Sequence, residues 1–297
     1  MNSNLYRTFF VIVRAVVFGA LGYSCAEARA VSTIHATNRQ AYGANIGWIN
    51  AAGDVTNGAV IGRFYCTGNL WSANGGWISL GNTPANGWQY TQTTANDWGV
   101  NHDGAGRLSG FAYSGNMGWI SFEQTYGQPR IDLHTGNLSG YAWGANVGWI
   151  SLSNAQAFVQ TDRLDAGPDR DHDQLPDPWE WHHMGDLTPL DGGDADQDGV
   201  SDGDEYAADT DPDDRTSRLE VTGLEFGREE ERVTWTVQPT RFYRLSYTTS
   251  PTNGAEWSES NFGLMEPPIA PDMAREVPNP GHSNRIYRAT AVMPLSP

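Results

Sequence analysis

The chain has 297 residues, room for two or three small domains, and a formal net charge of −17. That charge is local: residues 161–215 hold nineteen Asp and Glu against three Arg, while the flanking regions are close to neutral. Every basic residue is Arg and none forms a patch that could neutralise a phosphate backbone, so nucleic acid is not an expected partner.

Residues 1–30 read as an export leader. Arg7 and Arg14 supply the positive region, "AVVFGALGYSCA" is an apolar run too short to span a bilayer, and "ARA" at 28–30 is a small-x-small cleavage site. Cleavage after Ala30 gives a secreted or cell-surface protein with no membrane span in the mature chain. It also leaves Cys66 alone, so no internal disulfide can staple the fold.

Residues 31–155 repeat one pattern four times: "AYGANIGWIN" (41–50), "LWSANGGWIS" (70–79), "AYSGNMGWIS" (112–121) and "AWGANVGWIS" (142–151). The aromatic and β-branched residues suit strands, and the Asn and Gly between them tolerate the positive φ of a tight turn. Each copy is therefore expected to be a hairpin, with Asn45, Asn74, Asn116 and Asn146 bonding their own turn backbone. Trp48, Trp77, Trp119 and Trp149 are expected on one face, in the core, and Ile49, Ile78, Ile120 and Ile150 on the other. Apolar groups on both faces suit stacked repeats or a closed β layer. Trp88 and Trp98, outside the motif, are the expected exposed aromatics. The set resembles the GYAWSxNxGWI repeats of exported bacterial surface proteins, a resemblance that brings no activity with it. Residues 156–168 lose the pattern and read as a linker.

The acidic segment has internal order. From Asp194, positions 1, 3 and 5 are Asp194, Asp196 and Asp198, position 6 is Gly199, position 9 is Asp202 and position 12 is Glu205. This is the D-x-[DN]-x-[DN]-G-x₅-E pattern of a calcium loop, with the carbonyl of Val200 at position 7 facing the ion. A second copy starts at Asp169: Asp171 and Asp173 follow, then Leu175 at 7, Asp177 at 9 and Glu180 at 12, with Gln174 in place of the glycine. Gln at that position predicts backbone strain or a different loop. Breakers precede both loops, so the helix that would enter an EF-hand is not expected; only "DPWEWHHM" and "DGDEYAA" can be helical. His182 and His183 point about 100° apart on such a helix and make a poor ligand pair.

The stretch "DRDHDQLPDPWEWHHMGDL…DADQDGVSDGDEYAADTDPDD" resembles the thrombospondin type-3 calcium repeats in their bacterial form, over about 169–214. That resemblance implies about two bound calcium ions organising the segment, with Asp209 or Asp211 adding ligands. Dockerins are the related alternative, but "ADTDPDDRTS" after the second loop cannot extend their long helix.

Residues 217–297 carry alternating runs at Val233, Trp235 and Val237 and at Tyr243, Leu245 and Tyr247, with "IYRATAV" to close a sheet; a small β-sandwich is expected. It resembles the small β-domains that follow such calcium segments in exported bacterial proteins. No G-x-S-x-G, H-E-x-x-H or phosphate loop occurs anywhere in the chain.

The expected class is mainly β and multi-domain: a repeated β-hairpin domain, a calcium-bound loop segment with short helices, and a small C-terminal β-sandwich. The expected function is that of a calcium-binding, non-catalytic extracellular structural or interaction protein, its calcium segment a rigid spacer and its partners cell-surface or matrix glycans or proteins. Two alternatives stand beside it. One is a carbohydrate-binding or adhesive protein that exposes Trp of the repeats. The other is a polysaccharide hydrolase drawing on Asp54, Asp97, Asp103, Glu123 or Asp132.

Overall fold

A computed structural model describes residues 32–53, 56–188, 192–250, 256–279 and 284–296. The leader expected at 1–30, with its cleavage site, lies outside the described residues, as does Asp54. The chain is mainly β, 41% strand with two short helices. It forms two compact units that divide between Pro189 and Leu190, with the tail from Pro294 joining the first unit. The 169–214 segment, expected to be one piece, is thus shared between them. Among the described residues no helix is long and apolar enough to cross a membrane.

The first unit is built on four hairpins, and each copy of the repeat makes one. They are Ile34–Gly43 with Gly47–Asn50, Asn69–Ser72 with Gly76–Ser79, Leu108–Ser114 with Gly118–Ser121, and Tyr141–Gly144 with Gly148–Ser151. Each pairs antiparallel with the next, and the last returns to the first through Tyr42↔Ser151 and Gly43↔Ile150. The eight strands therefore close on themselves, which removes the free edges an open sheet would present. Every junction has the same register: Asn50 faces Trp71, Ser79 faces Tyr113, Ser121 faces Trp143 and Ser151 faces Tyr42. The facing polar residue lies two positions beyond the hairpin's own Trp. The register thus advances by two residues at each junction, the stagger that closure of a barrel requires.

Closure decides which face is inside. Ala41 opposite Ile49, Leu70 opposite Ile78, Ala112 opposite Ile120 and Ala142 opposite Ile150 point inward and form the core. The interior of an eight-stranded barrel is only wide enough for side chains to fill, and Ile with Ala or Leu fills it. The indoles do not fit there. The expectation that the repeat Trp form the core is therefore corrected: Trp48, Trp77, Trp119 and Trp149 point outward and are 43–49% exposed. Trp88 and Trp98, expected to be the exposed ones, are half-buried, and Trp98 packs edge-on against Trp119 with ring centroids 5.2 Å apart.

The turn asparagines also act differently from expectation. Each reaches across to a neighbouring hairpin. Asn74 Nδ2 donates to Ile46 O at 3.1 Å, Asn116 to Gly75 O at 3.2 Å, Asn146 to Met117 O at 3.0 Å, and Asn45 to Val147 O at 3.1 Å. The four bonds make a ring that ties all four turns together. Inside it Ile46, Met117 and Val147 are buried and close the barrel end. The second hairpin has Gly75 at this position, and Met117 Sδ occupies the space its side chain would need.

Residues 156–168 are not a linker. Val159–Thr161 is a strand on the outer flank of the first hairpin, with Ile34↔Thr161 and Arg39↔Val159 in register, and both Val159 and Thr161 are buried. The strand lacks the repeat's aromatic signature, so its pairing with the first hairpin left no mark in the sequence.

The second unit has two three-stranded sheets. One orders Val221–Phe226, Glu230–Thr236 and Asp272–Pro278; the other orders Ser258–Glu259, Phe242–Thr248 and Ile286–Val292. One core joins them, with Val233, Trp235 and Met273 from the first sheet meeting Tyr243, Leu245 and Tyr287 from the second. Buried Glu231 binds the sheets as well, accepting from Asn279 Nδ2 at 2.9 Å and from the Tyr287 hydroxyl across the core.

The inside–outside assignment makes a direct prediction. Ile120→Ala removes a filled barrel position and is expected to cost about 2–5 kcal/mol. Trp119→Ala loses an aromatic pair and partial burial, about 1–2 kcal/mol. Denaturant unfolding of the two variants checks the order; a reversed order would mean that the indoles carry the core.

Candidate metal centres

Two loops 25 residues apart in sequence fold alike. Helix α1 (Asp177–His183) leaves the first and helix α2 (Asp202–Ala208) leaves the second. In both, the ninth loop position is the first helical residue. The twelfth falls one turn later on the same helix face, so Asp177 with Glu180, and Asp202 with Glu205, turn toward their own loop. Ser201 caps α2 by accepting from Asp204 N at 3.1 Å, while α1 begins after Pro176 with Pro178 in its first turn. Among the described residues no helix enters either loop, as the breakers upstream predict.

The loop backbones repeat the same hydrogen bonds. The ninth carboxylate accepts from the second residue, Arg170 N to Asp177 at 2.8 Å and Ala195 N to Asp202 at 3.0 Å. The fifth accepts from the seventh, Leu175 N to Asp173 at 2.9 Å and Val200 N to Asp198 at 2.8 Å. The first accepts from the sixth, Gln174 N to Asp169 at 3.3 Å and Gly199 N to Asp194 at 3.1 Å. Positive φ recurs at the fourth position, His172 and Gln197, and at the sixth, Gln174 at 85° and Gly199 at 95°. Gln174 therefore takes the glycine conformation, at the strain cost foreseen, and the loop keeps its shape.

These folds gather carboxylates. Asp169, Asp171 and Asp173 bring oxygens within 4.8 Å of one another, as do Asp171, Asp177 and Glu180, and in the second loop Asp194, Asp196 and Asp198. Glu180 and Glu205 are fully buried. Neither oxygen of Glu180 accepts a hydrogen bond; Glu205 Oε1 accepts from Thr210 Oγ1 at 3.2 Å, but its Oε2 accepts none, nor does Asp196 Oδ2. Burial, then the charges of Asp173 and Asp171, pushes the Glu180 carboxyl up to about 8. Burial chiefly, with Asp196 and Asp198 adding, pushes Glu205 up to about 8. A buried carboxylate with no donor, facing other carboxylates, is unfavourable on its own. A divalent cation at the same place reverses that sign. The donor set fits a hard cation: it is all oxygen, with main-chain carbonyls at Leu175 and Val200 completing the sequence pattern. Arg170 lies 3.0 Å from Asp177, and Arg218 lies 3.5 Å from Asp198, each balancing part of the charge.

Each loop is anchored in its own unit. In the first, Asp177 N donates to Pro168 O at 2.8 Å, and Trp179 is fully buried. Trp181 lies over Gly87, where a Cβ would stand 2.6 Å from the indole Cδ1. His182 is exposed and meets Trp88 at a tilt, ring centroids 4.2 Å apart, and Phe64 edge-on at 5.4 Å. In the second, Arg241 is buried and clamps the end of α2. Its Nε donates to Ala207 O at 2.9 Å and its Nη2 to Tyr206 O at 2.8 Å. Ala208 of α2 joins the sandwich core. Asp209, held open by the resemblance as an extra ligand, is instead paired with Arg241 at 3.2 Å and with the Thr240 hydroxyl. Sequence reasoning missed Arg241 because it lies 35 residues from the helix it caps and carries no motif.

Four acids of the repeat region, Asp97, Asp103, Glu123 and Asp132, accept main-chain N–H groups. Asp97 accepts from Ala85 N, Thr91 N and Thr91 Oγ1, and hydrogen bonds hold its carboxyl below the usual range despite burial. Asp103 accepts from Ala105 N and Arg107 N, Glu123 from Thr125, Tyr126 and Gly127, and Asp132 from His134 and Thr135. A cavity of about 360 Å³ opens beside Phe64 and Tyr65, and the one acid in its lining is Asp165. No protein-family model, curated protein or solved structure matches the chain.

The strain at Gln174 gives a test. A left-handed non-glycine residue costs about 1–2 kcal/mol; both positions share that backbone conformation and the space around Gly199 is open, so a side chain there meets only the backbone cost. Gln174→Gly is expected to raise the melting temperature of the protein and Gly199→Gln to lower it. Thermal unfolding reads both; no response to either variant would mean that the loops do not hold these backbones in solution.

Proposed function

We propose that this is an exported, non-catalytic structural or interaction protein in which two calcium ions, one in each loop, hold the loops against their β units. One observation carries the reading: two fully buried glutamates with unpaired oxygens stand at the same position of two like-folded aspartate loops. The ligands of the first ion are Asp169, Asp171, Asp173, the Leu175 carbonyl, Asp177 and Glu180. Those of the second are Asp194, Asp196, Asp198, the Val200 carbonyl, Asp202 and Glu205. The resemblance to thrombospondin type-3 repeats supports calcium as the ion.

The leader supports an extracellular address, where free calcium reaches the range such modules need. Among the described residues the lone cysteine, Cys66, is buried and unbridged, its thiol pushed up to about 12 by desolvation. An ion that binds only the folded loop stabilises by mass action instead, about 2.7 kcal/mol at a hundred times the dissociation constant. Anchoring of each loop in a separate unit favours two local staples over the single rigid spacer expected from sequence. The non-catalytic reading rests on Asp97, Asp103, Glu123 and Asp132, whose carboxylates accept main-chain N–H groups.

Calorimetric titration of calcium into the chelated protein is expected to show two sites. Glu180→Gln should remove or weaken one and leave the other, and Glu205→Gln the converse. A single site would reduce the proposal to one staple, and no binding at millimolar calcium would overturn it.

A further inference from the structure

The outward face of the barrel is a feature that the calcium reading leaves unused. Each hairpin places an aromatic residue directly across from its Trp: Tyr42 with Trp48, Trp71 with Trp77, Tyr113 with Trp119, and Trp143 with Trp149. All of these residues are 39–49% exposed. Three of the pairs meet edge-on or tilted with centroids 4.8–5.0 Å apart. Large aromatic side chains exposed in this number commonly meet a ligand or partner. The core does not require it, because Ile, Ala and Leu fill the inside.

We propose that this girdle binds an uncharged polysaccharide. Three observations choose that occupant. First, the four repeat segments 41–50, 70–79, 112–121 and 142–151 contain no charged residue, so the surface offers nothing to an anionic polymer or an anionic lipid headgroup. Second, polar and aromatic groups alternate around it, Asn50 beside Trp71 and Ser79 beside Tyr113 for example, which matches a ligand that carries apolar C–H faces and hydroxyls together. Third, the pairs are spread around a closed barrel. A flat protein partner, including a second copy of this chain, reaches only one side of it, whereas a thin flexible chain, or several chains, can use all four pairs with the gain in avidity that repetition brings. This proposal does not depend on the calcium sites, and its test is run in calcium so that both loops stay as they are in the full protein.

Native gels cast with hydroxyethylcellulose, laminarin or galactomannan test it, beside gels with alginate, neutral and anionic phospholipid vesicles, and sedimentation of the protein alone. The expected result is retardation by at least one neutral polysaccharide and none by alginate or vesicles. Replacing Trp48, Trp77, Trp119 and Trp149 together by Leu should abolish the retardation, and replacing one of them should weaken it in part. Circular dichroism confirms that the variants fold. Should the fourfold variant misfold, protection of the wild-type indoles from iodide quenching by the bound polysaccharide decides the same point. Failure to bind any of the three neutral polymers, retention of binding in the folded fourfold variant, or association through these rings with vesicles or with a second copy would each overturn the proposal.

Discussion

Two glutamates buried among aspartates make the strongest demand on this structure. Glu180 and Glu205 are fully buried, and among the described residues no donor meets either oxygen of Glu180 or the Oε2 of Glu205. Their neighbours are the carboxylates of their own loops, and burial with that repulsion lifts both toward 8. A chain can hold such groups by keeping them protonated or by placing a cation between them and the aspartates. The loop geometry favours the cation. In both loops main-chain N–H groups hold the aspartates in one cluster, while both oxygens of Glu180, Oε2 of Glu205 and Oδ2 of Asp196 accept no hydrogen bond. On the reading proposed above, the ion is the interaction that keeps α1 and α2 in place. Trp181 then rests on Gly87 in one unit, and Arg241 and Ala208 tie α2 to the core of the other.

The repeat unit meets a different constraint, that of closure. Four hairpins with apolar groups on both faces could stack as layers or close as a ring. The ring is what forms, with a register advance of two residues per junction and a four-membered circle of asparagine side chains at the turns. Closure gives the strands an inside too narrow for indole, and the large aromatics go outside. The exposed girdle is thus a geometric result of the fold before it is a functional surface, which is why its uncharged surroundings, and not its exposure alone, carry the argument for a ligand.

Much of this was legible in the sequence. Spacing placed the aspartates that gather in each loop and the two helices that leave the loops. Internal repetition placed the four hairpins and their turns. What sequence could not supply was long-range in origin. The direction in which Trp119 and Ile120 point depends on whether the layer closes, and a period-two pattern with both faces apolar is symmetric to that choice. The partner of Asn74 lies in the preceding hairpin, 28 residues away. Val159–Thr161 pairs with a strand more than a hundred residues earlier and shows no local repeat. Arg241 and Asp209 find each other only once the sandwich brings α2 against its strands.

Hydrogen exchange measured in calcium and in chelator tests the central claim most directly. Calcium is expected to slow exchange in 169–183 together with 85–90, the segment beneath Trp181, and separately in 194–210 together with strand Phe242–Thr248. Glu205→Gln should cancel only the second set. Unchanged exchange in both loops would contradict the account, and so would loss of both sets from the single substitution.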